Sequence, residues 1–261
     1  MNKRINPSVA TISRCIRLGR LGLVLGVALP FLAHAASTVT INGQRTFNIT
    51  PQTTFSLDGV SISEKQAAAL GAGYNVQVTI DNVNATASAG DAGNIDLRNL
   101  ARGPVTSTDP LSVLEQPLVI TSETVLIGIH GDDIANIVAG DLLEVSGFLD
   151  ANGAMAATRV EYHDNPTTDW KLFGQVSALN GPLFSIGAQA IDSTGVTAMD
   201  CGAGLQNGQF VELETLPNPG YASGSDLGLL IQLECEDPNF DNPPPGTIAA
   251  SLEGIISDLP D

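Results

Sequence analysis

Three stretches of the chain carry one pattern: Leu70-Gly71-Ala72-Gly73-Tyr74-Asn75-Val76-Gln77-Val78, Ile137-Val138-Ala139-Gly140-Asp141-Leu142-Leu143-Glu144-Val145 and Leu205-Gln206-Asn207-Gly208-Gln209-Phe210-Val211-Glu212-Leu213. In each, a glycine follows an apolar residue by three positions, and apolar residues recur three and five positions after that glycine. The glycines are 67 and 68 residues apart. A turn at the glycine feeding a strand with alternate side chains in a core explains each copy, and the near-constant spacing marks an internal repeat.

Two further landmarks frame the units. Gly103-Pro104-Val105-Thr106, Gly174-Gln175-Val176-Ser177 and Gly254-Ile255-Ile256-Ser257 each read as an opening strand. In the second of these, Asn180-Gly181 turns the chain into Leu183-Phe184-Ser185-Ile186, favoured chemistry for an antiparallel hairpin. Asp150-Ala151-Asn152-Gly153 turns into Ala156-Ala157-Thr158-Arg159-Val160-Glu161 near the end of a unit, and Asp91 to Leu97 reads as a looser copy of that turn and strand. In the last full unit, a loop through Pro217, Pro219, Gly220 and Gly224 replaces the tight turn before Leu229 to Leu233. The expected division is residues 36–100, 101–165 and 170–237 as three β-units, an acidic proline-rich linker over 238–247, and the incomplete start of a fourth unit over 248–261. That last segment is expected to hang loose after Pro243-Pro244-Pro245, the alternative being a strand borrowed by an exposed edge of an earlier unit.

Many short strands with regular turns imply an all-β protein of tandem small barrels, OB-like, or sandwiches. The one helical candidate is Ser63 to Leu70. The second and third units should superpose with Gly140 on Gly208, Val145 on Leu213 and Val160 on Leu233, and Leu143, Val145, Val211 and Leu213 should point inward.

The order of these motifs, with Gly140-Asp141, Glu144-Val145-Ser146-Gly147, Asn152-Gly153 and Ala157-Thr158-Arg159-Val160 as the closest fit, resembles the bacterial domain of unknown function 5666, an exported and often tandem β-domain. Departures occur in the first unit, where Tyr74 replaces Asp141, and in the last, where Gln209 does. The resemblance implies a fold. Its motifs are turn and core positions and bring no catalytic residue with them.

The N-terminus is a different kind of sequence. Lys3, Arg4, Arg14, Arg17 and Arg20 precede an apolar run from Leu21 to Leu32, which ends at Ala33-His34-Ala35. Residues 1–35 read as a signal peptide, because the run is too short for an ordinary membrane span and the small residues suit a signal peptidase. An uncleaved anchor is the competing reading, with the polar stretch from Ser37 against it. Cleavage after Ala35 removes five of 11 basic groups and leaves 226 residues with six basic and 28 acidic groups, net −22. Such an excess of acid excludes a general nucleic-acid binder and leaves protein, glycan or cation partners in the periplasm or outside the cell, with no stable membrane insertion after cleavage. The two cysteines beyond the leader, Cys201 and Cys235, suggest one disulfide in an oxidising compartment. A free catalytic thiol is the competing reading.

Catalytic signatures are scarce. The chain has no G-x-S-x-G pentapeptide, and Gly71-Ala72-Gly73 and Gly202-Ala203-Gly204 sit at turns rather than opening helices. His130 and His163 are candidate transition-metal ligands if the second unit brings them together with a carboxylate. Asp237, Asn239 and Asp241 have the alternation that opens a calcium loop, but Pro243 follows where such a loop needs its glycine. No cofactor is expected. Two functions stand: a non-enzymatic binding, interaction or structural module of the cell envelope, or an extracellular carbohydrate-active or other hydrolytic enzyme. Exposed aromatics would favour the first, with Tyr74, Tyr162, Trp170 and Tyr221 as candidates. Clustered His, Asp or Glu in one cleft would favour the second.

Overall fold

The computed structural model describes residues 37–81, 90–150, 152–165, 169–236 and 250–259. The leader, Asp237, Asn239, Asp241 and the proline linker lie outside them.

The first part of the chain forms β1 (Thr38–Ile41), β2 (Arg45–Leu57), β3 (Val60–Ile62), the helix α1 (Glu64–Leu70), β4 (Asn75–Asp81) and β5 (Asp91–Arg98). The helix falls where its sequence predicts. Ser63 caps it, accepting from the Gln66 N–H while the Gln66 side chain returns to the Ser63 N–H. Asp91 to Leu97, read above as a turn and strand, is all strand, paired with β4 on one side and β2 on the other.

Next come β6 (Ala101–Thr108), β7 (Leu111–Val113), β8 (Gln116–Val119), β9 (Val125–Ile127), β10 (Leu142–Leu149) and β11 (Met155–His163). They close a five-stranded barrel in the order β6-β7-β8-β11-β10 and back to β6, with β9 lying parallel to β11. The strands β12 (Trp170–Asn180), β13 (Leu183–Ile186), β14 (Gln189–Asp192), β15 (Phe210–Thr215) and β16 (Leu230–Glu236) repeat this order, and β12 also pairs with β6, so one sheet runs through both units. Val145 faces Val160 across β10 and β11, and Leu213 faces Leu233 across β15 and β16. Leu143, Val145, Val211 and Leu213 are fully buried.

The third unit differs in its closure. Among the described pairings β14 and β16 share none. The long loop before β16 covers the gap instead: Ser225 O accepts from Gln189 Nε2 at 2.8 Å, Tyr221 OH donates to Gln189 Oε1 at 2.6 Å, and Leu227 is buried. Met199 exchanges backbone hydrogen bonds with Leu233 and Cys235, and Cys201 is disulfide-bonded to Cys235 with Cα atoms 5.0 Å apart. The bond fastens the stretch around Met199, which meets β16 through one isolated bridge to Glu234. Reduction should lower the unfolding free energy by roughly 3–4 kcal/mol from loop closure alone. Urea denaturation with and without reductant measures this, and overlapping curves would show that the bond holds nothing.

The main departure from the sequence reading is at the C-terminus. Residues 250–259, the described part of the segment 248–261, do not open a fourth unit. Ala250–Asp258 forms β17, which inserts between β1 and β4 and pairs antiparallel with both. The first barrel therefore closes as β17-β1-β2-β5-β4 and back to β17, and its residues are not the contiguous segment 36–100. The same backbone exchange occurs three times: Gly73 N and Tyr74 O with Ile256, Gly140 N and Asp141 O with Val105, Gly208 N and Gln209 O with Val176. The three glycines share φ values of 93°, 92° and 89°, which residues with a Cβ rarely adopt. The opening strand absent from the start of the first unit is thus supplied from the far end of the chain. Two apolar cores result, one inside the first barrel and one continuous through the second and third units. Among the described residues no helix is long and apolar enough to cross a membrane.

Candidate functional site

Charges are buried where the three units meet. Asp58, in the turn between β2 and β3, accepts from Lys171 Nζ of β12 at 2.6 Å, from the backbone and side chain of Asn99 at 2.8 and 3.0 Å, and from Arg102 of β6 at 3.3 Å. Lys171 is completely buried and also reaches Glu212 of β15 at 2.8 Å. Arg102 continues to Glu144 of β10 at 3.1 Å, and Arg98 of β5 bonds Asp96 at 2.8 Å and approaches Glu236 of β16 at 3.8 Å. Burial would raise the Asp58 carboxyl, but the Lys171 charge, its hydrogen bond and those from Asn99 hold it below the ordinary carboxylate range. Burial would likewise depress Lys171, and Asp58 and Glu212 hold it above the ordinary ammonium range. One acidic turn of the first unit is thereby fastened to the other two.

Beside this network lies a cleft of about 580 Å³ to which all three units contribute. Leu100 and Ile186 give it an apolar floor. Phe173 and Phe210, both half-buried, stack with ring centroids 5.7 Å apart and planes at 20°. These rings project outward because their strand neighbours Leu172 and Val211 point into the core. Phe148 also lines the cleft, and Glu212, Glu236, Asp150 and Arg98 supply charge. Asn99 also lines the cleft, and its buried Oδ1 has no hydrogen-bond partner. Burial raises the Glu236 carboxyl, Arg98 opposes this, and the nearby Glu212 and Glu234 add to it.

The sequence-derived candidates are placed differently. His163 lies near Glu144 and Glu161, the three ligand atoms within 4.8 Å of one another. Glu161 and His163 are alternate residues of β11, and Glu144 faces Glu161 from β10, which puts all three on one face. Both carboxylates are already engaged: Arg102 lies against Glu144, and Arg159 donates to Glu161 at 2.7 Å. The Glu144 carboxylate, 3.5 Å from its Nε2, raises His163, against burial. His130 does not join this group. It sits exposed on a turn with its ring 5.6 Å from that of Tyr162, whose side chain leaves β11 on the opposite side from His163. Of the proposed exposed aromatics, Tyr74 and Trp170 are buried, Tyr74 beneath Arg159, which lies 4.6 Å over its ring, and Trp170 edge-on to Tyr221. The cleft uses phenylalanines instead. Each alternates with an inward residue, Leu172 or Val211, which marks it as outward-facing, but nothing local in the sequence brings the two together.

Fold and cleft together define an all-β chain with two small closed barrels, whose units meet around a shared polar network. Residues 102–161 match a family described as Domain of unknown function (DUF5666), and the matched segment is the second barrel from β6 into β11. No curated protein and no solved structure gives a significant match.

Proposed function

We propose that the protein is an exported, non-enzymatic binding module built on one repeated OB-like plan, and that its ligand occupies the cleft between the units. The observation that carries this is the cleft itself: an apolar floor, a stacked aromatic pair and a few polar groups, held in shape by buried ion pairs from three units. That combination is what small-ligand sites generally show. Among the described residues the cleft walls contain no histidine, cysteine or serine paired to a base. Export rests on the leader sequence, the acidic mature chain and the disulfide. Intact-mass measurement on protein taken from its native envelope should find Ala36 as the first residue.

Binding is tested by a small-molecule screen followed by amide and side-chain NMR. Hits should perturb Asn99 and Phe173 and weaken about tenfold in Phe173→Ala, the loss expected for one aromatic contact. Hits that ignore both residues would overturn the assignment. The hydrolase reading has one observation in its favour, namely two glutamates, Glu212 and Glu236, in one cleft with Glu236 raised. Turnover of a glycan abolished by Glu236→Gln, with binding retained, would establish it instead.

A further inference from the structure

Resting on the binding reading, we infer that the cleft selects small organic cations: an ammonium or guanidinium head on an apolar body. Charge comes first. In the ion-pair network at the cleft, three permanent cations, Arg98, Arg102 and Lys171, with His163 beside Glu144, serve five carboxylates, Asp58, Asp96, Glu144, Glu212 and Glu236. The surplus is negative, and two of these carboxylates, Glu212 and Glu236, line the cleft itself together with Asp150 at its rim.

The strand register sharpens this. Glu212 of β15 stands directly opposite Glu234 of β16, a like-charge pair within one ladder, and Glu236 stands opposite Phe210. Such pairs are unfavourable unless a positive group is nearby. Lys171 meets Glu212 of this pair at 2.8 Å, and among the described residues Arg98 is the one basic residue lining the cleft, held by Asp96 at 2.8 Å and 3.8 Å from Glu236.

A second, independent feature points to a donor-bearing ligand. Asn99 is 2% exposed, its Nδ2 is spent on Asp58, and its Oδ1 is a buried acceptor with no partner. Leaving such an acceptor unpaired is costly, and an N–H from a ligand in the cleft would satisfy it. The stacked rings of Phe173 and Phe210 supply the third element, since aromatic faces attract cations as well as apolar surface. An anionic ligand would meet the surplus of carboxylates, and a neutral one would leave it uncompensated.

The test uses mature full-length protein and three probes of similar shape: phenethylammonium, phenylethanol and phenylpropionate, titrated by NMR and calorimetry. Phenethylammonium should bind about tenfold more tightly than phenylethanol, with phenylpropionate weakest, and added salt should narrow the differences. Glu236→Gln should erase the preference while leaving phenylethanol binding in place, and Phe210→Ala should weaken both probes. Unchanged melting temperatures show that the variants are folded. If either variant is not, shifts of the Asn99 side-chain amide in the unmodified protein report the same contact. Equal binding of all three probes, or a preference unchanged by Glu236→Gln, overturns the cation inference and leaves the cleft as a binding site. Absence of any shift at Asn99 with all three overturns both.

Discussion

Ending the chain at residue 249 should unfold the first barrel while the second and third units stay folded. The strand removed, β17, is not an edge. It lies between β1 and β4, with Ile41 opposite Ile256 on one side and Val76 opposite Gly254 on the other. Its loss opens the barrel and leaves two unpaired edges, and it takes Ile256 and Leu259 out of the core, each worth about 1.5–3 kcal/mol of burial. A small barrel has little stability to spare against such a loss. The rest has its own core, so the effect should stop there. Amide hydrogen exchange reads it directly: Val39, Val76 and Val78 should lose protection, and Val145 and Leu213 should keep it. A peptide of residues 250–259 added in trans should restore the protection, since strand addition supplies both ladders at once. A milder form is Gly254→Val, whose Cβ would overlap the Ile41 side chain and crowd that of Asn42, for a cost of about 1–3 kcal/mol. Protection unchanged by truncation would mean that β1 and β4 hold the barrel without it.

That strand also shows where sequence reading stops. Gly254-Ile255-Ile256-Ser257 was legible as an opening strand, because a glycine followed by alternating apolar residues is a local property. Its partner was not legible. Local pattern identifies a strand but not the edge it joins, and here the edge lies more than 170 residues away in sequence, between Ile255 and Asn75. The turn glycines Gly73, Gly140 and Gly208 were readable for the same local reason: only residues tolerant of positive φ suit those turns. The cleft was not readable, since Phe173, Phe210 and Glu236 lie on three strands and become neighbours only through the register of β12, β15 and β16. Tyr74 misled in the opposite way. Its position after the glycine turn is polar in the other two copies, yet it is buried against Arg159 of the second barrel. Positions that read as surface within one unit became the contact between units.

Lys171→Met should destabilise the protein by about 3–5 kcal/mol near neutral pH, because it removes the nearest cation from buried Asp58, leaving it only the longer Arg102 ion pair, and removes a partner of Glu212. The pH dependence identifies the cause. In the unaltered protein Asp58 is held below the ordinary range, so its contribution is present at neutral pH and is lost as pH falls through its depressed value. Lys171 is held above its ordinary range, so its contribution persists through neutral pH and is lost only as strongly alkaline pH passes its raised value. Without Lys171, burial dominates and pushes the Asp58 carboxyl upward, so as pH falls protonation relieves the variant before it begins to harm the unaltered protein. The gap between the two should therefore shrink as pH falls to about 4. Urea denaturation at both pH values measures it. Adding Asp58→Asn and Glu212→Leu to Lys171→Met should recover much of the loss, since a neutral junction needs no compensating charge, and asparagine tolerates the positive φ of 51° at position 58. A gap that stays constant with pH, or a triple variant no better than the single one, would mean that Lys171 acts through the packing of its aliphatic chain and that its charge does not hold the units together.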